Sequence, residues 1–413
     1  MFVRIERTST SGLPALRPES QGWVHASIPR KPLFDWRELL IKGMHYSGAL
    51  NLARRLSKSH EIHPHSSLPF PRFERVKTPR FVILCYHGIG ESGNPLCAAL
   101  TRELFETQMR FLGENYRVVS LDEACRELCS GAKSEPGVAI TFDDGYRSAY
   151  TVAFPILQRY RLPATVYLTI ESVETGQVAW YDRVFLAMAV APSGELKLNL
   201  QGPWLFQVNS PEDRLRAALE VVAFLRTLPN SQRRECCALL ENKIGLPQNK
   251  LSSRVLTWDE IHTMHQAGIA FGSHTLTHPV VSQLAPQELE QELGASKRLL
   301  EKMLGISVLD FAFPFGKASD CSSAALDMLA RCGYRSAATT VPGANTPQVN
   351  LFELRRLQVG LDGSLARFAF DLGRAFLCAE ELRALNVSPA GSYSAQEAPI
   401  PVGMGGALGD SDA

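Results

Sequence analysis

Residues 138–146 read VAITFDDGY and join a short apolar run to two adjacent carboxylates and a glycine. The apolar residues have the length and composition of a buried β-strand, and the acids come directly where that strand would end. Other short apolar runs, among them RFVILCYHGI (80–89) and PATVYLTI (163–170), alternate with helical patterns. This alternation is typical of parallel βα units, which place functional residues at the carboxyl ends of their strands. The sequence therefore predicts an α/β fold with Asp143 and Asp144 at a strand end.

The remainder of the chain divides by composition. Residues 1–35 mix Ser, Pro, Arg and Gly without periodicity, and 387–413 are of low complexity, so both are expected to be disordered. Residues 36–75 combine an amphipathic helical pattern with a Pro-rich linker. The folded domain is expected at 76–386, with a helical insertion at about 183–253.

Composition narrows the range of partners and locations. The 413 residues carry 43 Lys and Arg against 42 Asp and Glu, a net charge of +1, which argues against nucleic-acid binding. No apolar run is long enough for a transmembrane helix, the first residues lack the core of a secretory signal, and the nine cysteines form no paired framework. A cytoplasmic protein with free thiols is expected. The amphipathic stretch 36–58 leaves open whether the chain lies peripherally on the inner membrane or packs this helix on its own domain.

Four residues at two predicted strand ends have metal-binding chemistry. Two adjacent carboxylates in a partly buried place repel each other, and a divalent metal relieves that cost by binding one and leaving the other free as a base. Placement of both acids at a helix N-terminus is the simpler alternative. His274 and His278, four apart in GSHTLTH, can converge on one ion. Asp with two His leaves metal positions open for water and substrate, as catalysis requires.

Three motifs in order, TFDDGY, GSHTLTH and FAFPFG, resemble those of the polysaccharide deacetylases, the NodB-homology group of carbohydrate esterase family 4. The resemblance covers about residues 80–370, and LCYHGI and the stretch 180–183 are similar to its bacterial exopolysaccharide branch. It implies a deformed (β/α) barrel of about seven parallel strands and metal-dependent N-deacetylation of an amino sugar. In that pattern Asp143 is the general base, while Asp144, His274 and His278 hold the metal, with zinc expected first and cobalt or nickel as alternatives.

The chain departs from the family pattern at two places. FAFPFG has no Arg two residues before Pro314, and Phe315 stands where the family has Tyr, so Arg355 or Arg356 is expected to orient the base from a neighbouring strand. No His follows His278, so this sequence has no histidine at the position of the family's late general acid.

Further residues are assigned roles near the reacting centre. His87, at the end of the first strand, is the candidate general acid, with a structural His beneath the site as the alternative. A backbone N–H near Tyr146 is the candidate donor to the oxyanion, and Tyr146, Pro314, Phe315 and Arg356 are the residues expected to bind substrate or orient the base.

The predicted function is removal of N-acetyl groups from amino sugars of a polysaccharide or lipid-linked oligosaccharide in exopolysaccharide biosynthesis. Peptidoglycan N-acetylglucosamine and acetylated xylan stay open as substrates. The alternative is a catalytically impaired protein that binds a polysaccharide or a synthesis complex. The two departures favour that alternative, and the complete set of metal ligands opposes it.

Overall fold

A computed structural model describes residues 80–376 apart from 91–95, 97–99, 132–134, 248–253 and 361–363. The N-terminal extension, the amphipathic segment with its linker, and the C-terminal tail expected from the sequence lie outside the described residues.

Seven parallel strands form the central sheet, in the order β10–β1–β3–β4–β7–β8–β9, and β2 pairs with β3 beside this path. A separate hairpin, β5–β6, is antiparallel. The strands are β1 (Phe81–Tyr86), β2 (Arg117–Val118), β3 (Gly137–Phe142), β4 (Thr165–Leu168), β5 (Glu195–Asn199), β6 (Pro203–Gln207), β7 (Ala270–Ser273), β8 (Asp310–Ala312), β9 (Ser336–Ala338) and β10 (Arg356–Gln358).

Helices follow most of the strands, as βα units require. Two of them, α3 and α10, continue directly from short π-helical turns (Ala149–Ala153 and Glu290–Ala295). The helices are α1 (Arg102–Asn115), α2 (Leu121–Ser130), α3 (Phe154–Tyr160), α4 (Ile170–Thr175), α5 (Trp180–Val190), α6 (Pro211–Leu225), α7 (Asn230–Ile244), α8 (Trp258–Gln266), α9 (Pro286–Leu289), α10 (Ser296–Leu304), α11 (Ser323–Arg331) and α12 (Leu365–Ala375).

Backbone hydrogen bonds bring the two ends of the strand order together. The amide of Thr339, just after β9, donates to the carbonyl of Leu354 at 2.7 Å, and the amide of Leu354, just before β10, donates to Ala337 at 2.9 Å. The sheet therefore curves into a nearly closed barrel of seven parallel strands. The fold class predicted from the sequence, a deformed (β/α) barrel of about seven strands, is confirmed.

Alternation along each strand divides the apolar residues between two sides of the barrel wall. Val82, Leu84 and Ile140 belong to the large core between the wall and the surrounding helices. Their chain neighbours, such as Ile83 and Ala139, belong to a smaller cluster inside the barrel. The interior is therefore mainly a packed apolar core.

Residues between α5 and α8 form a unit with a hydrophobic cluster of its own, built from α5, the β5–β6 hairpin, α6 and α7. The sequence predicts a mostly helical insertion at about 183–253. Helices α6 and α7 lie in this range, and the β5–β6 hairpin is a departure from the prediction. The strand ELKLN alternates exposed and buried residues, and Gln201 and Gly202 make the turn with φ of 58° and 148°. This alternation buries Leu196 and Leu198 against the helices, which a purely helical segment would not do.

The carboxyl ends of β1, β3, β7 and β8 meet at one end of the barrel, so the segments that follow them converge there. Among the described residues, no helix is long and apolar enough to cross a membrane.

Candidate metal centre and active site

Asp144, His274 and His278 lie together at the carboxyl end of the barrel and are all buried. The Oδ1 atom of Asp144 is 3.4 Å from Nε2 of His274 and 3.3 Å from Nε2 of His278. Oδ1 is also a buried atom with no hydrogen-bond partner in the described part of the chain. Three ligand atoms that face one another at these distances, one of them otherwise unsatisfied, fit a single divalent cation.

Hydrogen bonding fixes the tautomer of His274. Its Nδ1 is 2.8 Å from the carbonyl oxygen of Ala312, which can only accept, so Nδ1 carries the proton and the lone pair of Nε2 faces Asp144. Burial lowers the pKa of His274, but the neighbouring Asp144 and Asp143 outweigh it and raise the value overall. Burial lowers the pKa of His278 to about 4, which favours the neutral imidazole that a metal requires.

Backbone strain is concentrated at this centre. Asp144, Thr275, His278 and Phe315 all have positive φ, of 71°, 70°, 57° and 59°, in the left-handed region that non-glycine residues seldom occupy. Non-glycine residues held there cost free energy and persist only where the surrounding structure enforces them. The surrounding packing therefore holds these ligand-bearing turns in place.

Asp143 is held from inside the barrel by Arg356, the first residue of β10. Nη1 and Nη2 of Arg356 donate to Oδ1 and Oδ2 of Asp143, each at 2.7 Å, and Nε donates to the carbonyl of Thr339 at 2.7 Å. Arg356 is fully buried and Asp143 is 3% exposed. Of the two arginines that the sequence offered, Arg356 makes this contact, whereas Arg355 is exposed and donates to the carbonyl of Pro342.

The charge of Arg356 keeps Asp143 ionised. Burial alone would raise the pKa of Asp143, but Arg356, His274 and His87 outweigh it and lower the value. Cys85 lies beside the same carboxylate and donates from Sγ to Oδ2 at 3.5 Å. Burial raises the pKa of Cys85 well above its ordinary value, so it stays a neutral thiol. Asp143 is thus a desolvated carboxylate with one permanent cationic partner.

His87 lies at the rim of the centre. Its Nε2 is 4.0 Å from Oδ2 of Asp144, and its side chain is 41% exposed, whereas the side chains of the three candidate metal ligands are at most 5% exposed. A partly exposed imidazole at this distance from the carboxylates has access both to solvent and to a molecule bound above the centre.

Aromatic side chains line the other side of the centre. The ring of His278 contacts Tyr181 and Phe315, with ring centroids 4.7 and 4.9 Å apart. The hydroxyl of Tyr146 donates to Oδ2 of Asp182 at 2.6 Å and lies 3.3 Å from the hydroxyl of Tyr181. Tyr146 therefore faces the inserted unit.

The turn after β8 brings Phe315 to this wall. Pro314 is buried, and its carbonyl accepts from the amide of Gly316 at 2.6 Å, which closes a tight turn. The guanidinium of Arg226 lies 4.1 Å from the centroid of the Phe315 ring. Phe315 is therefore packed between the imidazole of His278 and the guanidinium of Arg226, the residue that follows helix α6.

The turn that carries the two histidines is supported from behind. Oε2 of Glu292 accepts from the amides of Leu276 and Thr277, each at 2.9 Å, and Oε1 accepts from the Thr277 hydroxyl at 2.7 Å. Nε1 of Trp180 donates to the carbonyl of His278 at 3.0 Å. The position of His278 thus depends on both the barrel and the inserted unit.

The residues expected from the sequence to hold metal, act as base and act as acid come together at one end of the barrel. Sequence reasoning gave no role to Cys85, Glu292 or Trp180. For Cys85 a signal was present, because it precedes His87 by two residues and alternation therefore puts both on one side of the strand. Glu292 lies on the helical stretch that follows, 15 positions after Thr277, and no motif marks it.

Comparison with known proteins gives three findings. The family model for polysaccharide deacetylase matches residues 130–337, which is half of the chain. The protein YxkH of Bacillus subtilis (strain 168), named as a polysaccharide deacetylase, is 25% identical over 292 residues, or 70% of this chain and 75% of that protein. The poly-beta-1,6-N-acetyl-D-glucosamine N-deacetylase of Escherichia coli (strain K12) is 38% identical over 88 residues, which are 20% of this chain and 13% of that enzyme.

Among solved structures, a Streptococcus pyogenes deacetylase in complex with acetate superposes with a TM-score of 0.50 at 21% identity. The match covers 73% of this chain and all of that one. The similarity at this level of identity concerns the fold, and it agrees with the barrel described above.

Proposed function

The chain belongs to the polysaccharide deacetylase family, and from this membership we propose that it is a metal-dependent hydrolase that removes N-acetyl groups from amino sugars of an exopolysaccharide or its lipid-linked precursor. One observation carries the proposal. Asp143, a buried carboxylate paired with Arg356, is adjacent in sequence to Asp144, the carboxylate of an Asp–His–His set. A base beside a three-ligand metal site with open positions is what hydrolysis of an amide requires.

The donor set fits a divalent transition metal. Two imidazole nitrogens and one carboxylate oxygen are ligands that zinc accepts, and a three-ligand protein site leaves room for water. Cobalt and nickel accept the same donors. When bound, such an ion supplies Lewis-acid polarisation of the acetamide carbonyl and acidifies water.

Asp143 serves as the general base in this proposal. It accepts the proton of the attacking water through carboxylate lone pairs that Arg356 does not occupy. Because Arg356 donates to both carboxylate oxygens, the carboxylate is held in one orientation before substrate arrives.

His87 serves as the general acid that donates a proton to the leaving amine. It fits because it is the exposed imidazole next to the carboxylates and because, in the described part of the chain, no histidine follows His278. The products are acetate and a free amino sugar.

The nature of the substrate is supported by the names of relatives. The E. coli relative acts, by name, on poly-β-1,6-N-acetyl-D-glucosamine, and its 88 matched residues support an N-acetylglucosamine polymer as the substrate class here. We place the enzyme in the cytoplasm, acting on a lipid-linked intermediate at the inner membrane face, with residues 36–58 as the surface anchor. Co-sedimentation with anionic vesicles tests this placement. Loss of binding on deletion of residues 1–60 supports it, and unchanged binding contradicts it.

The experiment that tests the activity combines elemental analysis with acetate release from N-acetylglucosamine oligomers. Wild type should hold about one equivalent of metal and release acetate, and His274→Ala should lose both. His265→Ala is the matched control, because His265 lies on α8 and contacts the carbonyl of Ile269 rather than the centre. A wild type that binds neither zinc nor cobalt contradicts the proposal and favours a non-catalytic binding protein.

A further inference from the structure

A cavity of about 250 Å³ lies on the far side of the histidine turn from the barrel interior, between α4, α5 and α7. Its walls include Thr169, Trp180, Asn230, Arg233 and Thr277. None of these side chains belongs to the metal-binding set or to the proposed acid and base. At its edge Arg234 and Glu171 pair at 2.8 Å with side chains 55% and 42% exposed, so the cavity opens to solvent there.

Arg233 is a buried cation without an acidic partner. It is 2% exposed, and in the described part of the chain its guanidinium makes one hydrogen bond, to Oδ1 of Asn230 at 2.7 Å, and no ion pair. Its guanidinium also lies 5.0 Å from the Trp180 ring. Buried charges are ordinarily paired, because desolvation of an unpaired ion is costly. Burial accordingly lowers the pKa of Arg233.

The acids near Arg233 are engaged elsewhere. Glu241 accepts from Nε and Nη2 of Arg183 at 2.7 Å each, and Glu171 pairs with Arg234. Glu292 accepts from the histidine turn. Of the three arginines that line the cavity, 183 and 234 are thus neutralised by these acids, and Arg233 is the one left without an ion pair among the described residues.

Thr169 and two helix starts belong to the wall of the same cavity. Oγ1 of Thr169, a residue 1% exposed, has no hydrogen-bond partner in the described structure. Helices α5 and α7 both begin at residues that line the cavity, Trp180 and Asn230, and neither N-cap residue, Ala179 or Pro229, bonds the first turn through a side chain. Uncapped amides and the positive end of a helix attract anions.

We propose that this cavity binds an oxyanion, the carboxylate of an acidic sugar or a phosphate group, with Arg233 as its counter-ion and the Thr169 hydroxyl as a neutral donor. Arginine and helix N-termini recognise carboxylate and phosphate by the same chemistry. The inference goes beyond the deacetylase activity and does not depend on it.

Residues of the cavity wall also contact the turn that carries His274 and His278. Thr277, in its wall, lies between the two metal-binding histidines, and Nδ2 of Asn230 donates to the Thr277 hydroxyl at 3.1 Å. Trp180, in the same wall, donates to the carbonyl of His278. An anion bound to Arg233 therefore contacts the residues that fix the histidine turn.

Isothermal titration of the purified full chain with sodium phosphate and, separately, sodium glucuronate tests the proposal at constant ionic strength. Arg233→Met should weaken binding roughly tenfold or more, because a charge-assisted contact is lost. Thr169→Val should weaken it about threefold without lowering the unfolding temperature, since its hydroxyl has no protein partner. Arg331→Met, which removes an exposed arginine of α11, is the control and should bind as wild type does.

The two titrations distinguish the source of the anion, and a chelator control excludes the metal as its binding site. Tighter binding of glucuronate indicates an acidic sugar, and tighter binding of phosphate indicates a phosphate group. Both titrations are repeated with a chelator, because phosphate also binds divalent metals. Binding that survives chelation and falls in the two variants supports the proposal. Binding of neither anion, equal binding by Thr169→Val and wild type, or binding that vanishes with the chelator overturns it.

Discussion

Asp143 and Arg356 form a fully desolvated ion pair, and such pairs have an asymmetric energetic role. The pair as a whole stabilises little, because desolvation offsets the Coulomb attraction. Removal of one partner is costly, since the other charge stays buried without compensation. The arginine is therefore needed for the protonation state of the base as well as for its orientation.

Replacement of Arg356 by Gln should lower the free energy of unfolding by about 3–5 kcal/mol and reduce acetate release on the order of 10²-fold through misplacement of the base. Chemical denaturation and turnover below the unfolding transition measure the two effects. Arg355→Gln is the matched control, because the neighbouring arginine is exposed, and it should stay within about 0.5 kcal/mol of wild type. Similar turnover in the two variants would falsify the positioning role.

Asp143→Asn should separate chemistry from metal binding. Asn keeps the size of the side chain but cannot accept the proton of water at neutral pH, so turnover should fall about 10²–10⁴-fold. Metal content should be unchanged, because the ligands are Asp144, His274 and His278. Elemental analysis and acetate release on the same preparation check both points, and loss of the metal would show that Asp143 is itself a ligand.

The sequence alone predicts site residues that share a motif, but it does not predict which residues come into contact only in the folded chain. Asp143, Asp144, His274 and His278 stand in two short motifs. The partner of Asp143 could not be chosen between Arg355 and Arg356, because the phase of a three-residue strand is too short to show as a pattern. The structure shows that Arg356 is the partner. Its register places it opposite Ile83, whose side chain belongs to the cluster inside the barrel.

Among the elements, helix α5 connects the inserted unit to the metal centre. Its first residue, Trp180, donates to the carbonyl of His278. Groups behind a metal ligand orient it, and their loss commonly weakens metal binding.

Trp180→Phe keeps an aromatic ring and removes the Nε1 donor, and it should weaken zinc affinity about tenfold. Competition with a fluorescent chelator measures the affinity. Trp204→Phe is the matched control, since Nε1 of Trp204 also donates to a backbone carbonyl, that of Leu200, but within the β5–β6 hairpin. An equal loss of zinc affinity in both variants would show that reduced stability, rather than loss of the hydrogen bond to His278, weakens binding.

Predictability also differs among elements. The barrel strands are short apolar runs between helical patterns, and the sequence predicts them. The β5–β6 hairpin is not predicted because its exposed positions hold charged, polar and Pro residues and helical stretches flank it. Its alternation Leu196, Leu198, Leu200 and the pair Gln201–Gly202 were the available signal.

For the whole molecule, stability should depend on pH through Asp182, which lies between the barrel and the inserted unit. Burial raises the pKa of Asp182 to about 7, although the hydrogen bond from Tyr146 opposes the shift. The unfolded carboxyl ionises near pH 4, so between about pH 4 and 7 the folded state binds more protons. The contribution of Asp182 to the free energy of unfolding should therefore fall across this window as pH rises.

Asp182→Asn should remove that dependence. The stability of wild type relative to the variant should decrease from pH 4 to pH 7 by up to about 4 kcal/mol. Urea unfolding of both proteins across this range measures the difference, with Asp327→Asn, an exposed acid of α11, as the control. A difference that stays constant with pH would contradict the assignment.

The pairing of Asp143 with Arg356 also bears on how the protein matures during translation. The two residues are 213 positions apart, and the arginine belongs to the last strand. At about 5–20 residues per second, roughly 10–40 s pass on the ribosome between synthesis of the base and synthesis of its counter-ion. Both metal-binding motifs have emerged well before then. A nascent or prematurely terminated chain can therefore contain the complete Asp–His–His set while Asp143 still lacks its counter-ion, so the proposed activity requires synthesis through the last strand.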